Sequence, residues 1–388
     1  MHSSSEKSAA SVTAAGKDIP DFSKGLAGIV AGRTAICSLD GNLRYRGYSI
    51  ESLATNGDFE EVAYLLLYGE LPSTTEHRGF CQRIAAAASS LDPAVTAALA
   101  ELARRSPSAS PMDALRTGVS ILGQIELDQT PGSRESLLAQ AECLLGQVPA
   151  MLVAWIDLSA GRAIAPWPVG TIASSLLERL TGRVPSANGV AAFGSTLVFY
   201  AEHEFNASTF AARTVVSTGS DMHSGITAAI GALKGPLHGG ANEQVLEQLT
   251  QIASTDRAEA WVSEQLAAKH VVMGFGHRVY KNGDVRATLL GKMCRTMVRG
   301  TSGEELERLA ERVEQIMLER KKLKPNLDWP AARVYHALGL PVRVFTPIFV
   351  VARMSGWAAH IIEQIGDNRL IRPMSLYCGP APREYRRP

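Results

Sequence analysis

Apolar residues recur at steps of three and four along most of the chain. Phe59, Val62, Ala63, Leu66 and Leu67 fall on one face of a helix, and Leu71-Pro72-Ser73 ends that run and opens the next. The same spacing predicts helices near 76–90, 93–104, 111–123, 133–158, 168–181, 189–204, 207–217, 222–233, 241–253, 257–269, 285–298, 303–322, 331–338 and 345–364. Short connections carrying Gly or Pro separate them. Residues 33–45 differ: side chains alternate about Asp40-Gly41, the pattern of a small β-hairpin. No fixed-period self-similarity appears, which argues against a solenoid. The predicted class is all-α with a minor N-terminal hairpin.

A chain of 388 residues has room for two domains. Helices before Pro236 are rich in Ala, Leu and Ser, whereas those that follow carry more Glu, Arg and Lys. After Pro330 the chain turns apolar again, as in Phe345-Thr346-Pro347-Ile348-Phe349. We therefore expect a large helical domain from 25–238 and 331–388, with a small helical domain, 239–330, inserted between its halves. Residues 1–24, rich in Ser and Ala without an apolar core, read as a disordered leader rather than a targeting segment.

A formal net charge of +1 supplies no field for nucleic acid or an acidic membrane, and no apolar run is expected to reach membrane-spanning length. Five dispersed cysteines without a C-x-x-C pair fit reduced thiols in a cytoplasmic protein. No metal spacing and no Walker or dinucleotide glycine pattern is present, so no cofactor is expected.

The chemistry concentrates in three breaks between helices: Gly235-Pro-Leu-His238-Gly-Gly-Ala-Asn242-Glu243, Gly274-Phe-Gly-His277-Arg278-Val-Tyr-Lys281, and Pro325-Asn-Leu-Asp328-Trp329. Two imidazoles and a carboxylate suffice to remove a carbon-bound proton, stabilise the enolate and polarise a second carbonyl. His238, among glycines before a helix, reads either as a donor to an enolate oxygen or as a loop histidine capping that helix. His277, beside Arg278 and Lys281, reads as a neutral donor to a carbonyl or as part of a solvated basic loop. Asp328, next to Trp329, reads as a base whose pKa is raised by shielding, as a helix N-cap, or as both. Arg286 can clamp a carboxylate through its planar fork. His203 and Asn206 fall on one helical face or at a helix junction. Arg353, in an apolar helix, needs an anionic partner, either a buried acid or a substrate carboxylate. Arg372 offers one further guanidinium, and His223, His270, His336 and His360 receive no role.

With these residues in view, the chain resembles the citrate synthase family. The resemblance runs from Lys24-Gly-Leu-Ala-Gly28 to Ile371-Arg-Pro373 and is carried by Glu202-His-Glu-Phe-Asn-Ala-Ser-Thr209, the His238 and His277 segments, and Asn326-Leu-Asp328. It implies a homodimer whose large and small domains close over oxaloacetate and an acyl-CoA, the latter a substrate and not a cofactor. By the same resemblance Asp328 removes the acyl-CoA α-proton, His238 stabilises the enol and His277 polarises the oxaloacetate carbonyl. His203, Arg286 and Arg353 hold carboxylates, Arg372 reaches in from the neighbouring subunit, and Lys281 meets coenzyme A. Thioester hydrolysis then drives the reaction forward.

The acyl group is a separate question. Tyr200-Ala-Glu-His-Glu-Phe-Asn-Ala-Ser-Thr-Phe210 and Phe345-Thr-Pro-Ile-Phe349 resemble 2-methylcitrate synthases, which prefer propionyl-CoA, whereas Gly276-His-Arg-Val-Tyr-Lys-Asn-Gly-Asp284 resembles ordinary citrate synthases. Val285 stands where the family usually has proline, and His223 where relatives often have tyrosine. The short N-terminus is expected to lack the extra domain of hexameric, NADH-regulated members. The rival reading is a non-catalytic helical dimer that binds a carboxylate or coenzyme A.

Overall fold

The computed structural model describes residues 23–26, 28–125, 132–277, 279–280, 283–385 and 387. They fall into two compact units. One comprises Met1–Arg33 and Arg372–Pro388; its described residues form a short 3-10 turn at Lys24–Leu26 and otherwise irregular chain. The expected leader lies outside the described residues except for Ser23 and Lys24. The other unit, Thr34–Ile371, holds every remaining element.

That unit opens with a three-stranded antiparallel sheet: β1 (Cys37–Ser38), β2 (Arg44–Tyr45) and β3 (Tyr48–Ser49). Cys37 pairs with Tyr45 across the expected hairpin, with Gly41 at φ 75° in its turn. The third strand is an addition. Arg46 and Gly47 both have positive φ, 48° and 89°, which is the two-residue turn that fits the twist of paired strands.

Sixteen α-helices follow among the described residues: α1 (Ile50–Asn56), α2 (Phe59–Tyr68), α3 (Thr74–Ser89), α4 (Pro93–Arg105), α5 (Pro111–Ile125), α6 (Arg134–Ser159), α7 (Ile172–Thr181), α8 (Ala187–Tyr200), α9 (Ala207–Val216), α10 (Met222–Leu233), α11 (Ala241–Ile252), α12 (Thr255–Ala267), α13 (Val285–Val298), α14 (Glu304–Lys321), α15 (Asp328–Ala337) and α16 (Phe345–Gly366). Many begin at a residue whose side chain caps the first turn. Asp58 with Glu61 and Ser73 with Glu76 form complete capping boxes.

The chain packs around α6 and α16, with α3, α4 and α5 against α6 and α2, α8, α9 and α10 against α16. Trp155 and Trp357 are buried in that core. Two stretches, Arg134–Ser159 and Val342–Gly366, are long and apolar enough to cross a membrane, which corrects the expectation that no such run exists. Their apolar windows are 78% and 100% buried inside the fold, so the hydrophobicity serves packing. Helices α11 to α15 pack largely among themselves, and α8 meets both α13 and α15.

Three boundaries moved in ways that matter. α7 starts at Ile172, capped by Thr171, rather than at Pro168. α8 stops at Tyr200, four residues short of its predicted end. α15 starts at Asp328, ahead of Pro330, because a proline in the first turn lacks only an N–H that would have no helical partner.

Candidate active site

The early end of α8 creates the break that carries His203. Residues 201–206 leave the helix, with Glu204 at φ 52°. Asn206 restarts it as the N-cap of α9, accepting the Thr209 N–H at 3.1 Å. His203 thus lies at a helix junction, one of the two placements expected. The buried Tyr45 hydroxyl donates to the Glu202 carbonyl at 2.9 Å and pins the break to the sheet. On the other side α16 presents Gly356, where a Cβ would overlap the Ala201 carbonyl and the Glu202 carboxylate. Only glycine permits that approach.

Asp328 is the first residue of α15, and its side chain does not cap the helix. Its Oδ1 accepts a 2.7 Å hydrogen bond from the Tyr200 hydroxyl. Burial pushes the carboxyl above its usual range, against the hydrogen bond from Tyr200 and the charges of Arg286 and Arg353, which lower it. The raised pKa was expected, but the aromatic neighbour was misplaced. Trp329 packs on Phe275 and donates to Glu314, and it is Tyr200 that meets the carboxylate. Gly274, at φ 84°, lets Trp329 and Val245 sit where a Cβ would clash.

His238 faces the start of α9. The Ser208 backbone N–H donates to His238 Nε2 at 3.2 Å, and the Ser208 hydroxyl lies 2.8 Å from the same nitrogen. An accepting Nε2 leaves the ring proton on Nδ1. Burial, then the charge of Arg353, pushes the pKa down to about 4, so the ring is neutral near pH 7. Phe349 joins His238 to the Asp328 group: its ring is 6.2 Å from the imidazole and 4.3 Å from the ring of Tyr200.

His277 Nδ1 accepts the N–H groups of Val279 at 3.1 Å and Tyr280 at 3.2 Å, which assigns the proton to Nε2. Its pKa is lowered first by burial and then by Arg286; Arg278 and Lys281, the neighbours invoked from sequence, lie outside the described residues. His203 stands edge-on to His277, ring centres 5.1 Å apart, and pairs with the Tyr280 hydroxyl at 3.1 Å. Burial, Arg286, Arg353 and His277 hold His203 well below the usual imidazole range.

The two arginines of the cluster behave differently. Arg286 is buried and already engaged, with Nε 2.9 Å and Nη2 2.8 Å from the two oxygens of Asp284 and Nη1 donating to the Phe199 carbonyl at 3.3 Å. The pairing with Asp284 fixes in place the guanidinium that the sequence puts forward as a carboxylate clamp. Arg353 donates through Nε to the Tyr200 carbonyl at 2.6 Å and stacks over Phe349. It forms no ion pair with a described carboxylate, and its buried Nη1 has no hydrogen-bond partner. A buried guanidinium in that state lacks the partner that burial of its charge calls for. Asn242, wholly buried beside Tyr200, likewise has both amide atoms without a geometrically acceptable partner.

His203, His238, His277, Asp328, Arg286 and Arg353 therefore converge. Lys281 lies outside the described residues. Arg372 is exposed and belongs to the other unit. Of the histidines left without a role, His360 is a satisfied core residue between Glu202 and Arg213. Sequence reasoning missed Tyr200 and Asp284. Tyr200 ends an apolar run and looks like core, whereas Asp284 stands two residues before Arg286, a spacing that does carry a pairing signal. Three neutral imidazoles, one shielded carboxylate and an unpaired guanidinium suit enolate chemistry on an anionic substrate.

Residues 25–374 match the family model described as "Citrate synthase, C-terminal domain". The chain is 43% identical to 2-methylcitrate synthase 2 of Corynebacterium glutamicum, covering 94% of this chain and 96% of that one. It is 42% identical to citrate synthase 2 of Bacillus subtilis, covering 93% and 97%. Among solved structures it resembles the citrate synthase of Thermoplasma acidophilum in ternary complex with carboxymethyl coenzyme A and oxaloacetate, with TM-score 0.88, 32% identity and coverage of 94% and 98%. A helical scaffold with these breaks, matched from end to end by such relatives, places the chain in the citrate synthase family.

Proposed function

We propose that the protein condenses oxaloacetate with a short acyl-CoA, acetyl-CoA or propionyl-CoA, to give citrate or 2-methylcitrate and free coenzyme A. The observation that carries this reading is the shielded Asp328 carboxylate, held by Tyr200 in one cluster with two neutral imidazoles of opposite tautomer. Asp328 takes the α-proton of the acyl thioester, while the Nδ1–H of His238 donates to the oxygen that becomes the enolate. The enolate carbon attacks the ketone carbon of oxaloacetate as the Nε2–H of His277 donates to that carbonyl. The new alkoxide takes up a proton to become the hydroxyl and Asp328 gives up the one it removed; water then cleaves the thioester to a carboxylate, and coenzyme A departs as the thiol with one of the water's protons. His203, Arg353 and Arg286, the last fixed by Asp284, hold carboxylates.

The same reading takes the protein as a cytoplasmic homodimer in which Arg372 serves the partner's site and Lys281 meets coenzyme A. It takes 25–238 with 331–388 and 239–330 as the two domains that close on substrate. No metal or other cofactor enters any step. A dedicated 2-methylcitrate synthase is the second reading, favoured by the Tyr200–Phe210 segment and by the relative in Corynebacterium glutamicum. One methylene is worth about 1–3 kcal/mol of discrimination, so kcat/KM for the two acyl-CoAs decides between these readings. The direct assay is release of free coenzyme A with oxaloacetate present, and absence of release with either thioester overturns the function.

A further inference from the structure

Two cavities adjoin along α8 and α13; the smaller reaches Phe199 beside the catalytic cluster, whereas the larger is lined by none of the cluster's residues. The larger, of about 720 Å³, is walled by Leu177, Met293, Met297 and Leu338 and flanked by Arg183 and Lys292. No described carboxylate lines it. Arg183 donates to the Leu338 carbonyl at 3.3 Å, and Lys292 also borders the smaller cavity, which Asp58 and Glu60 line. Asn188 and Gly189, in the first turn of the fourteen-residue α8, also open into the cavity, and that end of a helix carries partial positive charge. The volume is that of a small-molecule site, and apolar walls with a few convergent polar groups are the usual composition of one.

The cavity is also placed to be felt at the catalytic cluster. It is lined by the start of α8, the second half of α13 and the end of α15. The opposite ends of these helices carry Tyr200, Arg286 and Asp328. At a rise of about 1.5 Å per residue, α8 alone spans about 20 Å between the two places. A ligand drawing Arg183 and Lys292 together ties α7, α13 and α15 at one end and biases how the site residues meet at the other.

We propose that this cavity is an effector site for an amphipathic anion: a carboxylate, sulfonate or phosphate on a flat or branched apolar body. The anion would sit between Arg183 and Lys292 and the body against Met293, Met297 and Leu177. The test uses anilinonaphthalene sulfonate, followed by fluorescence on the full chain, with its uncharged counterpart phenylnaphthylamine as control. Saturable binding is expected, about tenfold weaker for the uncharged compound and for the double variant Arg183→Gln with Lys292→Gln, and restored in part by Lys292→Arg. Saturating coenzyme A and oxaloacetate should leave the probe in place. Equal binding of the uncharged compound or the double variant, or displacement by coenzyme A, overturns the site. The kinetic arm rests on the proposed condensation, whereas the binding arm does not. At saturating probe the KM for oxaloacetate should change by about fivefold in the parent and not in the double variant, and unchanged kinetics with the probe bound overturns the effector role.

Discussion

The Tyr200 hydroxyl donates a 2.7 Å hydrogen bond to Oδ1 of Asp328 across 128 residues of sequence. Burial, with a lesser push from the Asp284 charge, raises the pKa of this carboxyl, and the phenol restrains the rise by favouring the ionised form. A hydrogen bond to a charged group is worth about 1.5–3 kcal/mol, equivalent to about one to two pH units. Tyr200→Phe should therefore move the acid limb of the kcat profile about one unit higher, because more alkaline solution is needed to ionise the base. An unmoved limb would remove Tyr200 from the control of Asp328.

Asp328→Ala separates chemistry from binding. A general base contributes about a hundredfold to ten-thousandfold, so coenzyme A release should fall by about a thousandfold. Oxaloacetate affinity, which the proposed function assigns to His203, Arg286 and Arg353, should stay within about threefold by calorimetry, less than one ordinary hydrogen bond would change it. Retained turnover would take the proton abstraction away from Asp328.

The helical frame was open to reading because its signals are local: three- and four-residue periodicity, capping residues and Gly or Pro breaks. The seven-residue α1 escaped because only Ile50 and Leu53 are buried in it, too few to show a period. The end of α8 was overrun because 201–206 continue the preceding pattern, and the break is imposed from outside by Tyr45 and Gly356. The islands at His238, His277 and Asp328 stood out because they interrupt long helices. Their partners did not. Tyr200 meets Asp328, Ser208 meets His238 and Tyr280 meets His203 only after the chain folds, and spacing alone cannot encode such distant pairs.

Asp284 and Arg286 make a stability prediction. Both side chains are buried and doubly hydrogen-bonded to each other. Burial raises the Asp284 carboxyl, but the Arg286 charge and hydrogen bonds outweigh it and hold the pKa below the usual range. Asp284→Asn leaves the guanidinium buried without its counter-ion, a change costing about 3 kcal/mol in urea unfolding at pH 7. Because the folded pKa is depressed, the contribution is present above the unfolded value of about 3.9 and is lost as pH falls through the lower folded value. The gap between parent and variant should therefore narrow below about pH 4. A gap under about 0.5 kcal/mol at pH 7 would mean that solvent already screens the pair.

His238 tests the electrostatics of the site by itself. The folded ring titrates at about 4, whereas an unfolded histidine titrates at about 6.5. Between those values the unfolded chain binds more protons than the folded one, so stability rises with pH across that window and is eroded as pH drops. His238→Asn should remove its share of this part of the stability curve, leaving the slopes due to His203 and His277. Nitrogen-resolved NMR of the parent at pH 6 should show His238 neutral with its proton on Nδ1, and His277 neutral with its proton on Nε2. An imidazolium signal for His238 at that pH would mean that the ring enters catalysis charged. It would then act as a proton donor to the enolate instead of a neutral hydrogen-bond donor, and the Ser208 N–H could no longer be its partner at Nε2.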